Sequence, residues 1–362
     1  MVPLSLIFLL ELVEEKKEIP ASVTELYDRF SDLALGRHDK EKGIEILFEY
    51  IIKKRFLASL AYNVLLLKER IELSREEFED FIRTYATEFD WDDDYIRYFS
   101  KEIERTGILH IAETVMFKHR SFFDYLCAFY IHDQHDKIPS VQDFIIKISF
   151  DDNWGDSAFF SIGLRREFPE SMIDKFFDFP KDDIAGRFTK LGVGRLLQAG
   201  WHSKAVTKKR CLTTGLSFLP KLREDLKEVK SPDGVKPPAF FIDLLLLGLA
   251  ETGYASIFLF KDLNDILKKS LDNPSKDNLF STLFILFALR DLLTVSEKNQ
   301  LTDKYIQLID SQASIEEQAR ALPFLSIIKK DDKPFLKKLR ARADAIAKNH
   351  PAIMKQIAGS PT

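Results

Sequence analysis

Helical spacing of apolar residues runs through this chain and is interrupted once. Ile108-Leu109-His110-Ile111 and Thr114-Val115-Met116-Phe117 flank Ala112-Glu113, which reads as a small β-hairpin. That interruption constrains the fold. One hairpin in an otherwise 3.6-residue periodicity means an all-α chain with a minor sheet. The hairpin leads to His119 and then to an aromatic segment, where Phe122, Tyr125, Leu126 and Phe129 share one helix face. Ser121 stands three residues before Asp124, a capping-box-like helix start with Asp in the usual Glu or Gln position. Three helical stretches precede the hairpin, and helix, helix, helix, hairpin is the order of a winged-helix module.

Local signals support those stretches. Ser22-Val23-Thr24-Glu25 is a capping box opening a helix that carries Leu26, Tyr27, Phe30 and Leu33. Residues 44–67 are helical in pattern, with a break expected near Arg55. Ser74-Arg75-Glu76-Glu77 is a second capping box, followed by Phe78, Phe81, Ile82 and Tyr85. The acidic run from Asp90 to Asp94 starts another helix, which Gly107 stops. Beyond residue 140 the pattern stays helical, with stretches at 183–201, 204–226, 276–293, 315–328 and 333–348. Ser231-Pro232-Asp233-Gly234-Val235-Lys236-Pro237-Pro238 is the clearest linker. No repeat of fixed period is present, so the C-terminal part stays open between a solenoid-like array and an irregular helical domain.

Composition narrows the classes. A length of 362 residues implies about two or three domains. Gly and Pro are scarce, at 14 each, while Phe reaches 31, which favours long helices with aromatic cores. A net charge of −4 argues against bulk attraction to nucleic acid or anionic lipid. Cys127 and Cys211 sit in apolar helical contexts and read as small buried residues in a reducing, cytoplasmic compartment. Residues 4–10 are apolar but lack a preceding basic region, so no signal peptide is expected. Residues 240–260, interrupted by Asp243, Glu251 and Gly253, read as packed core helices rather than a membrane span.

The stretch from Phe117 resembles the winged-helix segment of NACHT-type STAND NTPases, the NLR-like family. Its pattern here is Phe-x-His-x-Ser-Phe-x-Glu/Asp-Tyr, then small and aromatic residues. Phe117, His119, Ser121, Phe122, Asp124, Tyr125 and Ala128 match it. Pro3-Leu4 before an apolar helix, and Ile19-Pro20 before Glu25-Leu26-Tyr27, resemble the family's exit from its nucleotide domain. The resemblance covers residues 1–135. It implies a NACHT-associated helical domain over 1–56 and a winged helix over 57–135. Helical regions over 136–230 and 239–362 complete the organisation we expect.

The resemblance also implies two latent nucleotide contacts. His119 matches the histidine that reaches the β-phosphate of bound ADP and holds the winged helix closed. Pro3 matches the proline that packs on adenine. The physics is simple for His119: an imidazole can donate to phosphate, and two unit charges about 4 Å apart interact by roughly 4 kcal/mol at an effective dielectric near 20. Read without the family, His119 is a histidine satisfied by local backbone, and Pro3 is a first-turn helix proline.

No Gly-x-x-x-x-Gly-Lys-Ser/Thr occurs in the sequence, nor an apolar strand ending in paired Asp. We therefore expect no catalysis by this chain alone. It begins almost where a NACHT nucleotide core would end, so it is expected to be the C-terminal portion of a STAND protein. Its partner would be an upstream or separately encoded core supplying ADP or ATP with Mg. The expected role is a regulatory and sensing region in innate immunity or antiphage defence. A protein or peptide would be the trigger, and the complete protein would form a homo-oligomer. His132-Asp133-Gln134-His135-Asp136 has metal-ligand chemistry but lies at a helix end, where polar residues solvate, and no metal site is expected. The basic runs Lys53-Lys54-Arg55, 204–210 and 329–348 read as solvated helix faces. Two other classes remain: a helical scaffold binding a protein or peptide, and, less favoured, a winged-helix nucleic-acid binder.

Overall fold

Ser22 accepts a hydrogen bond from the Glu25 amide at 3.2 Å and starts helix α1, Val23–Ala34. The Glu25 carboxylate reaches back one residue further than a capping box requires, to the Ala21 amide at 2.8 Å. The computed structural model describes residues 10, 20–36, 47–66, 69–230 and 233–358. Among these the chain is mostly helical, with one small antiparallel sheet. It divides into two compact units, Met1–Phe168 and Pro169–Thr362.

In the first unit, α2 spans Tyr50–Ser59 and continues as a π-helix over Leu60–Leu66. The break expected near Arg55 is not there; the hydrogen bonding changes at Leu60 instead. Lys53 and Lys54 do not face solvent either, being 3% and 2% exposed. Lys54 bridges Asp28 at 2.6 Å and Asp32 at 3.1 Å, and Lys53 meets Glu102 at 3.1 Å. A charge run can stay helical and bury when each ammonium finds a carboxylate. Only Arg55 of this trio is exposed, paired with Asp133 at 3.0 Å.

Strand β1, Leu73–Ser74, is too short for its alternation to show in sequence. It leads into α3, Arg75–Thr87, through the expected capping box: Ser74 and Glu77 exchange bonds of 2.8 and 3.1 Å. Helix α4 covers Asp93–Arg105, capped by Asp92, and Gly107 turns the chain at φ +69°. Strands β2, Leu109–Ile111, and β3, Thr114–Phe117, form the expected hairpin. β3 also pairs Leu73 with Val115, giving the order β1-β3-β2. Helices α2 to α4 and this sheet form a winged helix. Its core is aromatic: Phe56 packs edge-on against Phe99 at 5.1 Å and Phe78 at 6.1 Å. Helix α5, Arg120–Asp133, follows and is buried on nearly every side. It packs against α2 and against α7, Ser157–Arg165, with α6, Val141–Ser149, alongside.

The elements of the second unit are all helices among its described residues. The stretch read as one helix over 183–201 is two: α9, Ile184–Leu191, and α10, Val193–Ala199, meeting at Gly192. They follow the short α8, Ile173–Phe177. The stretch 204–226 likewise divides into α11, Ala205–Ser217, and α12, Leu219–Glu228, because Pro220 fits only a helix's first turn. Then come α13, Ala239–Gly253; α14, Phe260–Asp272; and α15, Leu279–Leu289. The last four are α16, Val295–Gln312; α17, Ile315–Ile328; α18, Lys333–Asn349; and α19, Pro351–Ala358.

All of α15 but Ser281 is buried, as an all-round apolar helix must be. It is enclosed by α12, α13, α14, α16 and α17, and α13 also meets the distant α19. A solenoid's repeats touch only their neighbours. This array closes around a central helix and is irregular. No described helix is long and apolar enough to cross a membrane. Both cysteines are buried and free.

Candidate functional site

The junction of β3 and α5 carries the sharpest candidate. β3 ends at Phe117, and the Lys118 amide donates to the Ile108 carbonyl at 3.1 Å, closing the hairpin. His119 then takes the N-cap position in extended conformation, φ −136° and ψ 128°. Its carbonyl accepts from the amides of Phe122 and Phe123, both at 3.2 Å. Its imidazole makes no cap hydrogen bond and is exposed. Lys118 and Arg120 on either side are also exposed. Three groups able to carry positive charge thus stand at the N-terminus of a 14-residue helix, where amides and dipole favour an anion.

The helix does not start as the Ser121-Asp124 spacing suggested. Ser121 lies inside the first turn and bonds the Tyr27 hydroxyl rather than capping. Asp124 faces inward, 3% exposed, because its carboxylate is engaged elsewhere. It receives Arg120 Nε at 2.8 Å and the Asp156 amide at 3.1 Å. Burial pushes its pKa up to about 6, against the opposing pull of Arg120 and the Asp156 amide. Arg120 also donates to the Asn153 carbonyl and lies over the Phe123 ring at 4.9 Å. The Gly155 turn, φ +47°, lies close against Asp124: a Cβ there would come within 2.7 Å of Oδ2. The turn beneath His119 is therefore held rigidly while the imidazole stays uncommitted.

A second group of residues escaped the sequence reading. Tyr125 donates to Asp28 at 2.6 Å, and Lys54 closes the set, with its ammonium 4.7 Å from the Phe129 ring. This cluster, with Tyr125 and Lys54 buried and Asp28 partly exposed, ties α1, α2 and α5 together. The partners are 22 to 97 residues apart in sequence, so no local pattern could reveal them.

Pro3 lies outside the described residues. At the end of α5 the His132 to Asp136 segment is spent locally. His135 Nδ1 is 3.1 Å from the His132 carbonyl and Nε2 is 3.0 Å from Asp136. Asp133 pairs with Arg55. Among the described residues no group of three or more His, Cys, Asp or Glu is arranged to hold a metal. On α4, Arg97 pairs with Asp94 at 3.0 Å, and Glu104 with Arg75 at 3.4 Å, so that face is charge-compensated rather than basic. No protein-family model, curated protein or solved structure matches the chain.

Proposed function

We propose that this chain is the regulatory and sensing region of a NACHT-like nucleotide switch, cytoplasmic and acting in innate immunity or antiphage defence. The observation that carries the reading is His119. A winged helix delivers an exposed, locally unbonded imidazole at a helix N-terminus, between Lys118 and Arg120. In this reading the winged helix closes on a nucleotide core, and His119 donates to an ADP phosphate. The site's chemistry fits an anion. ADP or ATP with Mg comes from the core, and the second unit's helical array recognises a protein or peptide trigger. Opening the lock lets the complete protein oligomerise. This chain supplies positioning and restraint, not catalysis.

The test begins with the coding DNA about 300 codons upstream, read for a Gly-x-x-x-x-Gly-Lys-Ser/Thr core in frame or adjacent. The joined or co-expressed proteins are then assayed for ADP retention. His119→Ala should release ADP at least about tenfold faster, a loss near 1.4 kcal/mol. Unchanged retention would remove the role assigned to His119.

One observation favours a second reading, a scaffold that binds a protein or peptide without any nucleotide link. Phe241, Leu244 and Leu245 line one face of α13 and are 62%, 42% and 54% exposed. Contiguous exposed apolar side chains of this kind mark interaction surfaces. That reading predicts trigger binding indifferent to His119→Ala.

A further inference from the structure

Helices α5, α6 and α7, with the turn after α5, border a half-open cavity of about 150 Å³ that the nucleotide reading leaves unused. It is lined by Ile131, His132, His135, Ile145, Ser161 and Arg165. Its character is divided. Ile131 and Ile145 are 1% exposed and form an apolar floor. At the rim stand a guanidinium and two imidazoles. The carboxylates nearby are already taken: Asp133 by Arg55, Asp136 by His135, and Asp28 by Lys54 and Tyr125. Ser161 donates to the Ser157 carbonyl at 2.7 Å. Among the described residues no ion pair or hydrogen bond engages the Arg165 guanidinium. A half-buried guanidinium beside an apolar floor presents planar N–H donors to an anion at lower solvation cost than one in bulk water.

We propose that this cavity binds a small carboxylate with a short apolar tail, Arg165 taking the carboxylate and Ile131 and Ile145 the tail. The volume sets the size. A cavity of this order admits a benzene-sized molecule, about six non-hydrogen atoms. The planar guanidinium matches a carboxylate's two oxygens in a fork, and the apolar floor disfavours a fully solvated anion such as phosphate. His132 adds a pH response. Partial desolvation and the Arg165 charge hold its imidazole below the ordinary histidine value, with His135 adding to the effect. Asp133 and Asp28 oppose this, and α6 presents only Ile145 to the cavity. A bound carboxylate reverses the balance, so binding takes up a proton and strengthens as pH falls through the histidine range.

Butyrate, with its six non-hydrogen atoms, is the probe. Titrated into the full chain, it should shift the His132 and His135 ring proton resonances saturably, with a millimolar Kd. Affinity should be higher at about pH 5.5 than at about pH 7.5. Arg165→Met, at a half-buried position, should raise the Kd at least about tenfold while leaving thermal stability unchanged. Arg165→Lys, which keeps the charge but not the fork, should fall between. The absence of a saturable shift, or a Kd unchanged in Arg165→Met, would overturn the site. Acetate or inorganic phosphate binding as tightly as butyrate would overturn the tailed-carboxylate assignment.

Discussion

Asp124 is a buried acid whose surroundings work against its charge. Arg120 and one backbone amide stabilise the carboxylate, but burial outweighs them and lifts its pKa from 3.8 to about 6. The folded state therefore holds this proton more tightly than the unfolded chain does. The stability it contributes is fully present below about pH 4 and lost as pH rises through about 6, a change of about 3 kcal/mol. Asp124→Asn removes that titration while keeping an acceptor for the Asp156 amide. Thermal unfolding of both proteins between about pH 4 and pH 6 should show the difference in stability moving toward the variant as pH rises. Parallel curves would mean that Asp124 ionises normally. The Ser121-Asp124 spacing announced a cap. The inward turn of Asp124 was hidden because its partner amide belongs to Asp156, 32 residues on.

At the scale of elements, close helix approach decides what the sequence could and could not show. The hairpin, the Ser74-Glu77 box and α17 were legible because each signal is local: a turn, a cap, a period. β1 and the π-helix were not, since each is specified by its neighbours. β1 exists because β3 has a free edge, and the π-helix seats Tyr62 on Tyr130 at 4.4 Å. The contact of α1 with α7 is another such case. Gly163 lies so close to Thr24 that an added Cβ would come within 1.9 Å of its Oγ1 and 2.7 Å of its Cβ. Thr24 is buried, and its hydroxyl has no hydrogen-bond partner among the described residues. Gly163→Ala should therefore destabilise by about 2 kcal/mol through overpacking. Thr24→Ala alone should cost little. Together they should be non-additive, the double variant losing at least about 1 kcal/mol less than the sum of the singles because truncating Thr24 makes room for the new methyl. Simple additivity in denaturant unfolding would show that the helices can part without penalty.

At the scale of the whole molecule, the candidate site was more legible than the framework that supports it. The position of His119 was legible, because a histidine at a strand–helix junction is written in consecutive residues. The second unit hangs on a cluster no window of sequence contains. Asp243 looked like an interruption of an apolar stretch. It is 1% exposed and accepts four charge-assisted bonds, two from Arg223 at 2.8 and 3.0 Å and two from Arg320 at 2.7 Å each. Arg223 also reaches Glu317 at 2.9 Å, so α12, α13 and α17 meet on one carboxylate. Removing that carboxylate leaves the two buried guanidiniums with only the partly exposed Glu317 and Glu316 as counter-ions, whereas replacing the set with apolar groups removes the buried cations altogether. Asp243→Ala should cost at least about 3 kcal/mol and lower the unfolding midpoint of this unit by about 10 °C. The triple variant Asp243→Leu, Arg223→Met, Arg320→Met should recover much of the loss, since buried ion clusters commonly give way to well-packed hydrophobic ones. If the triple variant is no more stable than Asp243→Ala, the cluster fixes helix geometry in a way packing cannot replace. If Asp243→Ala is harmless, the clamp does not hold the unit together.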